Sequence, residues 1–200
     1  MKKNLPFWLV MMLSLSAAFV QARHIVGGEI RMKPAVGPNQ YTYILVQFWD
    51  EINLSTGNQD SRVDLLLYRK RDNQLITQIG LPYVSSTSVN YQNKACAAFR
   101  SLTTVQGTYS QTVTLNPLDF SDPGGYYVVW ERCCRNDDIN NIESPGSSGM
   151  VFYLEFPPLT LRNSSPEFSF PNGQYICKDQ AFSMKMSAVD SDGDELRYSL

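Results

Sequence analysis

The sequence predicts an all-β fold of the β-sandwich type, and three observations carry that reading. Runs rich in aromatic and β-branched residues recur along the chain, each about as long as a strand. Turn formers bound them, most clearly Pro123-Gly124-Gly125 and Ser144-Pro145-Gly146-Ser147-Ser148-Gly149, where proline fixes φ and glycine permits positive φ. Beyond the apolar N-terminal stretch, no segment places its apolar residues at helical spacing. Many short strands separated by turns is the pattern of two packed sheets.

The elements follow in order. Lys2 and Lys3 give a positive start, Leu5 to Val20 is mostly apolar, and Val20-Gln21-Ala22 has the small or apolar residues of a cleavage site. Residues 1–22 therefore read as a secretory signal-peptide helix. The apolar stretch is short for a bilayer core of about 30 Å. The mature chain then begins near Arg23, and Gly27-Gly28 reads as a bend in its first strand. Strands are predicted over Tyr41–Trp49, Arg62–Arg69, Tyr109–Leu115, Tyr126–Cys134 and Met150–Phe156. The prolines and small polar residues from Pro157-Pro158 to Asn163-Ser164-Ser165-Pro166 cannot extend a central strand. They divide a β-sandwich domain over 23–160 from the beginning of a second β-domain over 161–200. There, Phe182, Met184, Met186 and Ala188 alternate with Ser183, Lys185 and Ser187, a strand with one wet face. Glu195 to Leu200 reads as a further strand in which the chain stops, the expectation for the N-terminal part of a longer protein.

Export places the chain in an oxidising setting where its four cysteines can pair. Composition is 43% hydrophobic and 12% aromatic, that of a folded protein, and the net charge of −2 comes with no basic stripe, which excludes nucleic acid as the expected partner. No segment of the mature chain is apolar and long enough to span a membrane. The single histidine, His24, leaves little room for histidine-based catalysis or metal binding.

Cys133 and Cys134 are adjacent, and neighbours in a strand point to opposite faces. Cys134 shares a face with Tyr126, Val128 and Trp130, and Cys133 shares the other with Tyr127 and Val129. The pair is expected to tie one strand to two places, with Cys96 bonded to one member and Cys177 to the other, in either pairing. A bond between the two neighbours themselves requires a distorted peptide. No Cys-x-x-Cys spacing or nearby histidine points to metal or redox chemistry.

Asp190, Asp192 and Asp194 stand at alternate positions around Gly193. Three carboxylates on a tight turn suit a hard cation with oxygen ligands such as Ca²⁺. An EF-hand is excluded, because its glycine position would fall on Glu195. The competing reading is a plain Asp/Gly hairpin turn. Asn136 to Asn141 reads as a solvated polar loop. His24-Ile25-Val26-Gly27-Gly28 is similar to the mature start of trypsin-like proteases, but the only histidine precedes the motif and no glycine-flanked serine nucleophile follows. Gly146-Ser147-Ser148-Gly149 fails the Gly-x-Ser-x-Gly elbow. No enzyme is expected. Trp49 and Trp130 at strand spacing read as core, although exposed, coplanar aromatics would instead make a sugar-stacking platform.

Three pieces occur in a particular order: Arg132-Cys133-Cys134-Arg135-Asn136 with Ile139, Asn141-Ile142, Pro145 and Gly149 after it; Asn163-Ser164-Ser165-Pro166-Glu167-Phe168; and Cys177 followed by Ala188 to Leu200. Together they resemble the N-terminal region of large surface proteins of gliding Bacteroidota, the gliding motility-associated C-terminal domain proteins. The aspartate motif is also shared by cadherin-like and polycystic-kidney-disease-like domains. The resemblance implies a secreted, non-enzymatic, multidomain protein with tandem immunoglobulin-like modules, exported by the general secretory route and then the type IX system. It also implies attachment at the cell surface, with extracellular polymers or proteins as partners. The alternative is a carbohydrate-binding module of a larger polysaccharide-handling protein.

Overall fold

The computed structural model describes residues 25–50, 59–97, 102–133, 135–169 and 173–199. Among the described residues the fold is all-β, with nine strands and no α-helix. The strands are β1 (Ile25–Pro34), β2 (Gln40–Asp50), β3 (Arg62–Arg69), β4 (Gln74–Ser88), β5 (Thr104–Thr114), β6 (Tyr126–Arg132), β7 (Met150–Phe156), β8 (Glu167–Ser169) and β9 (Ser187–Val189). Residues 1–24, and with them the predicted signal peptide and His24, lie outside the described residues. No described helix is long and apolar enough to cross a membrane.

The first seven strands form one antiparallel sheet in the order β1-β2-β5-β4-β3-β6-β7. Its ends approach each other through β1 and β7, so the sheet is nearly closed, consistent with a β-sandwich. The long strand β4 makes this possible. Its first part, through Pro82, pairs with β3, and its last part, from Tyr83, pairs with β5 across a register shift between Tyr83 and Ser85. One strand thus serves both layers, as corner strands do when a sheet turns on a bulge.

Alternation fills the space between the layers. Tyr43, Leu45, Leu65, Leu67, Leu81, Tyr109 and Val128 are completely buried. Trp49 and Trp130 are each 5% exposed and belong to this core. Glycines admit the largest rings: a Cβ at Gly107 would sit 1.7 Å from the Trp49 ring. The bend expected at Gly27-Gly28 is a register shift between Ile25 and Gly27.

Two predicted strands differ from the structure. Over Phe182–Ala188 only Ser187 and Ala188 are strand, as the start of β9, and Glu195–Ser199 forms none. The reason is pairing: β9 meets only the three residues of β8, in a separate two-stranded sheet. A strand is stabilised by a ladder, and alternation without a neighbour supplies none. Phe182 and Met186 are consequently exposed. Strand β6 also ends at Arg132, one residue before the cysteine pair.

Candidate functional site

The Arg132-to-Asn136 stretch leaves β6 and gathers the loops around it. Arg132 Nη1 lies 2.8 Å from Asp60 Oδ2, and the Asp60 carbonyl accepts the Tyr109 hydroxyl at 3.0 Å. The Arg135 amide donates to the Pro145 and Ser148 carbonyls, both at 3.1 Å, and its Nε donates to the Gly149 carbonyl. Asn136 is buried. Its Nδ2 donates to Asp50 Oδ2 at 3.4 Å, and its Oδ1 accepts the Asp138 amide at 2.8 Å. The expected solvated loop therefore holds for Asp137 and Asp138, which are exposed, and fails for Asn136. A buried amide needs partners, and this one joins the end of β2 to the loop after β6.

The disulfide expectation is corrected. Cys96 is bonded to Cys177, 81 residues away, with Cα atoms 4.7 Å apart. Neither reaches the adjacent pair. Cys133 is exposed past the end of β6 and is itself disulfide-bonded; Cys134 lies outside the described residues. The earlier expectation relied on strand alternation to aim two sulfurs at two places, and the strand stops before it reaches them. Backbone pairing instead brings Cys177 to Cys96. The Gln92 amide donates to the Gly173 carbonyl at 2.7 Å, and the Tyr175 amide to the Gln92 carbonyl at 3.3 Å. The Tyr91 and Tyr175 rings lie 4.8 Å apart. Gly173 has φ +64°, a conformation that favours glycine, and a side chain there would strike Val89 and the Asn90 backbone.

In the aspartate turn, one ligand atom from each of Asp190, Asp192 and Asp194 lies within 4.8 Å of the others. Asp190 Oδ1 accepts the amides of Asp192, at 2.8 Å, and Asp194, at 3.2 Å, while Gly193 supplies φ +83°. Asp192 Oδ2 accepts both the hydroxyl of Ser164, at 2.6 Å, and its amide. Those two hydrogen bonds, with the Arg162 charge behind them, hold the Asp192 carboxyl below its usual range.

Ser164 belongs to a segment that reading the residues as a proline-rich boundary did not credit with contacts. The Ser165 amide donates to the Met32 carbonyl at 2.8 Å, and the Met32 amide returns to Ser165 Oγ at 3.0 Å. Arg162 donates to the Ala35 carbonyl, and Glu167 pairs with both Lys33 and Arg31. The free edge of β1 is thus covered, as an unpaired edge must be. The signal available in sequence was the pair of serines beside proline, which bond backbone readily.

On the outward face of the sheet, Tyr68 and Tyr127 stack with centroids 5.2 Å apart and planes 14° apart. Tyr127 and Tyr153 stack at 5.4 Å and 29°. A scan against protein-family models and searches of curated proteins and of solved structures each returned no match.

Proposed function

We propose that the chain is a secreted, non-enzymatic surface protein, a structural or adhesive module serving gliding motility or surface attachment. The observation that carries this is the Cys96–Cys177 bridge, which fastens the segment after the sheet back onto it in the chemistry of an oxidising compartment. Covered edges and a stapled junction suit a part that bears load rather than one that turns over substrate. The order of the Arg-Cys-Cys-Arg-Asn, Asn-Ser-Ser-Pro-Glu-Phe and aspartate motifs supports the same reading. So does a detail of immunoglobulin-like sandwiches. Tyr126, at the start of β6, donates its hydroxyl to the Asp119 carbonyl at 3.0 Å and accepts the Asp122 amide at 2.8 Å, as in a tyrosine corner. On this reading residues 23–160 are the first immunoglobulin-like module and 161–200 begin a second, cadherin-like one. Burial of Trp49 and Trp130 removes both from any sugar platform.

Antibody labelling of intact cells, combined with detachment under flow, tests the proposal. Labelling without permeabilisation and weaker attachment on deletion are expected; labelling only after permeabilisation overturns it.

The same reading includes a Ca²⁺ at Asp190, Asp192 and Asp194. Hard cations take carboxylate oxygens at about 2.3–2.6 Å, and the ligand atoms lie close enough to share one. Asp190 Oδ1 and Asp192 Oδ2 are engaged by N–H and O–H donors, so the cation would use the remaining oxygens. Calorimetry should register Ca²⁺ binding that Asp194→Asn weakens; a silent titration leaves the turn alone.

A further inference from the structure

We infer that Cys133 is bonded to its own neighbour, Cys134, and that this ring is a reducible clasp at the entrance to the loop between β6 and β7. The chain has four cysteines. Cys96 and Cys177 are bonded to each other, and Cys133 is disulfide-bonded. Within the chain, Cys134 is the one cysteine left to be its partner.

Such a ring accounts for the end of β6. Neighbours in a strand point to opposite faces, so two sulfurs on an extended segment face apart. Adjacent Cα atoms are also about 3.8 Å apart, closer than the roughly 4.4–6.8 Å of ordinary bridges. Joining the two therefore requires the chain to turn. Strand β6 pairs with β7 residue for residue as far as Arg132↔Met150, and Cys133 is no longer strand.

The ring is not a staple. Stabilisation by a bridge grows with the loop it closes. A bond between neighbours closes almost none, against a sequence separation of 81 for Cys96 and Cys177. Its effect is local: it sets the direction in which the chain leaves β6 for residues 135–149. That loop has little apolar packing to hold it, and Asn136 is the only buried residue among the described residues of 133–149. Its contacts are polar and start immediately after the pair. The Arg135 amide meets the Pro145 and Ser148 carbonyls, and Asn136 reaches Asp50. Asp137 packs so closely on Gly146 that a Cβ there would lie 1.9 Å from its Oδ1. Segments with few apolar contacts open readily, so freeing two residues at the entrance loosens the whole set.

Exposure decides which bridge a reductant reaches. Cys133 is exposed, whereas Cys96 and Cys177 are each partly covered. Thiol–disulfide exchange needs access to a sulfur. Arg132 and Arg135 flank the pair, and neighbouring cations favour the thiolate, which is the better leaving group. An external dithiol supplies the electrons. Its thiolate attacks the Cys133 sulfur, the bond of the ring breaks, and Cys134 leaves with the electron pair and takes a proton. The second thiol of the reductant then displaces Cys133, which takes the other proton. The protein gains two thiols, the reductant becomes a disulfide, and the Cys96–Cys177 bridge stays shut. The clasp is independent of what the protein attaches to.

The test uses the full, oxidised chain, alkylated while denatured and cleaved after glutamate, which releases Arg132–Glu143 as one peptide. That peptide should carry no alkyl group and be lighter by two hydrogens than its dithiol form. An alkylated Cys133 or Cys134, or a bond from either to another peptide or to a second copy, overturns the assignment. Graded reduction with dithiothreitol should open this pair at least tenfold faster than Cys96–Cys177. The opened chain should lose protection against hydrogen exchange over residues 135–149 while β2 and β5 keep theirs. The double variant Cys133→Ser, Cys134→Ser should show the loosened loop without reductant and no further response to it. The clasp is overturned if Cys96–Cys177 opens first or together with the pair, or if reduction leaves the protection of the loop unchanged. Where the double variant fails to fold, the selectively reduced native chain decides, because its strands and its Cys96–Cys177 bridge are intact.

Discussion

The Ser164 hydroxyl donates to Asp192 Oδ2 at 2.6 Å across 28 residues of chain, and the Ser164 amide reaches the same oxygen. Ser164 is buried in the segment that covers β1, so this carboxylate seats the aspartate turn on the edge of the seven-stranded sheet. The Asp192 carboxyl is held below its usual range. A carboxylate depressed in the folded state adds stability that is present above its unfolded value, ordinarily about 3.9, and is lost as pH falls through the lower folded value. The protection of residues 187–194 against hydrogen exchange, taken relative to the intrinsic rate at each pH, should therefore be higher at neutral pH and fall below about pH 4. Asp192→Asn should remove most of that acid sensitivity; equal sensitivity in the variant would mean that another group seats the turn.

The Cys96–Cys177 bridge closes a loop with a sequence separation of 81. By chain entropy, opening it removes about 4 kcal/mol. Cys177→Ser should lower the urea midpoint under oxidising conditions and expose residues 173–186 to protease first. Non-reducing peptide mapping of the native chain should join the Cys96 and Cys177 peptides; a peptide joining either to Cys133 or Cys134 would refute the assignment.

Tyr126 is buried to 1% exposure, and its hydroxyl holds the turn before β6 through Asp119 and Asp122. Tyr126→Phe keeps the ring contacts with Phe120 and Phe156 and removes the hydroxyl's two part-buried hydrogen bonds, to the Asp119 carbonyl and from the Asp122 amide. A loss of about 0.5–1.5 kcal/mol in urea unfolding is expected. An unchanged midpoint would show that water replaces the hydroxyl.

Gly107 faces the Trp49 indole across the β2–β5 ladder. Gly107→Ala must displace that ring, with a cost of about 1–3 kcal/mol for overpacking. Tryptophan emission should shift to the red as Trp49 leaves the core. An unshifted spectrum with native stability would place the ring elsewhere.

Strands with long apolar alternation were legible from sequence: β3 and β7 match their predicted spans and β2 matches to one residue at each end, whereas β5 begins five residues before its predicted start and β6 stops two residues short of its predicted end. Their residues meet the requirement of a half-buried pleated surface by themselves. Strand β4 was not legible. Gly80, Pro82 and the serine-rich stretch after it argue against a strand, yet the segment pairs along its whole length because it crosses from one layer to the other. The reverse happened at Phe182–Met186, where alternation is present and no neighbour pairs with it. At the candidate sites, the aspartate turn could be read from its spacing, whereas Ser164 could not, because its partner lies on a separate element.

By itself the sequence determined the all-β class, the strands of the core, a chain with one histidine and four cysteines, and a turn that gathers three carboxylates. These follow from local chemistry: side-chain period, φ preference and residue count. Only the tertiary structure decided which cysteines meet, that Asn136 is buried, that residues 162–167 cover the edge of β1, and that three tyrosines form a row outside the core. The physical reason is common to all four. Each depends on which strands become neighbours, and strand order is set by the closing of the whole sheet, not by any single segment.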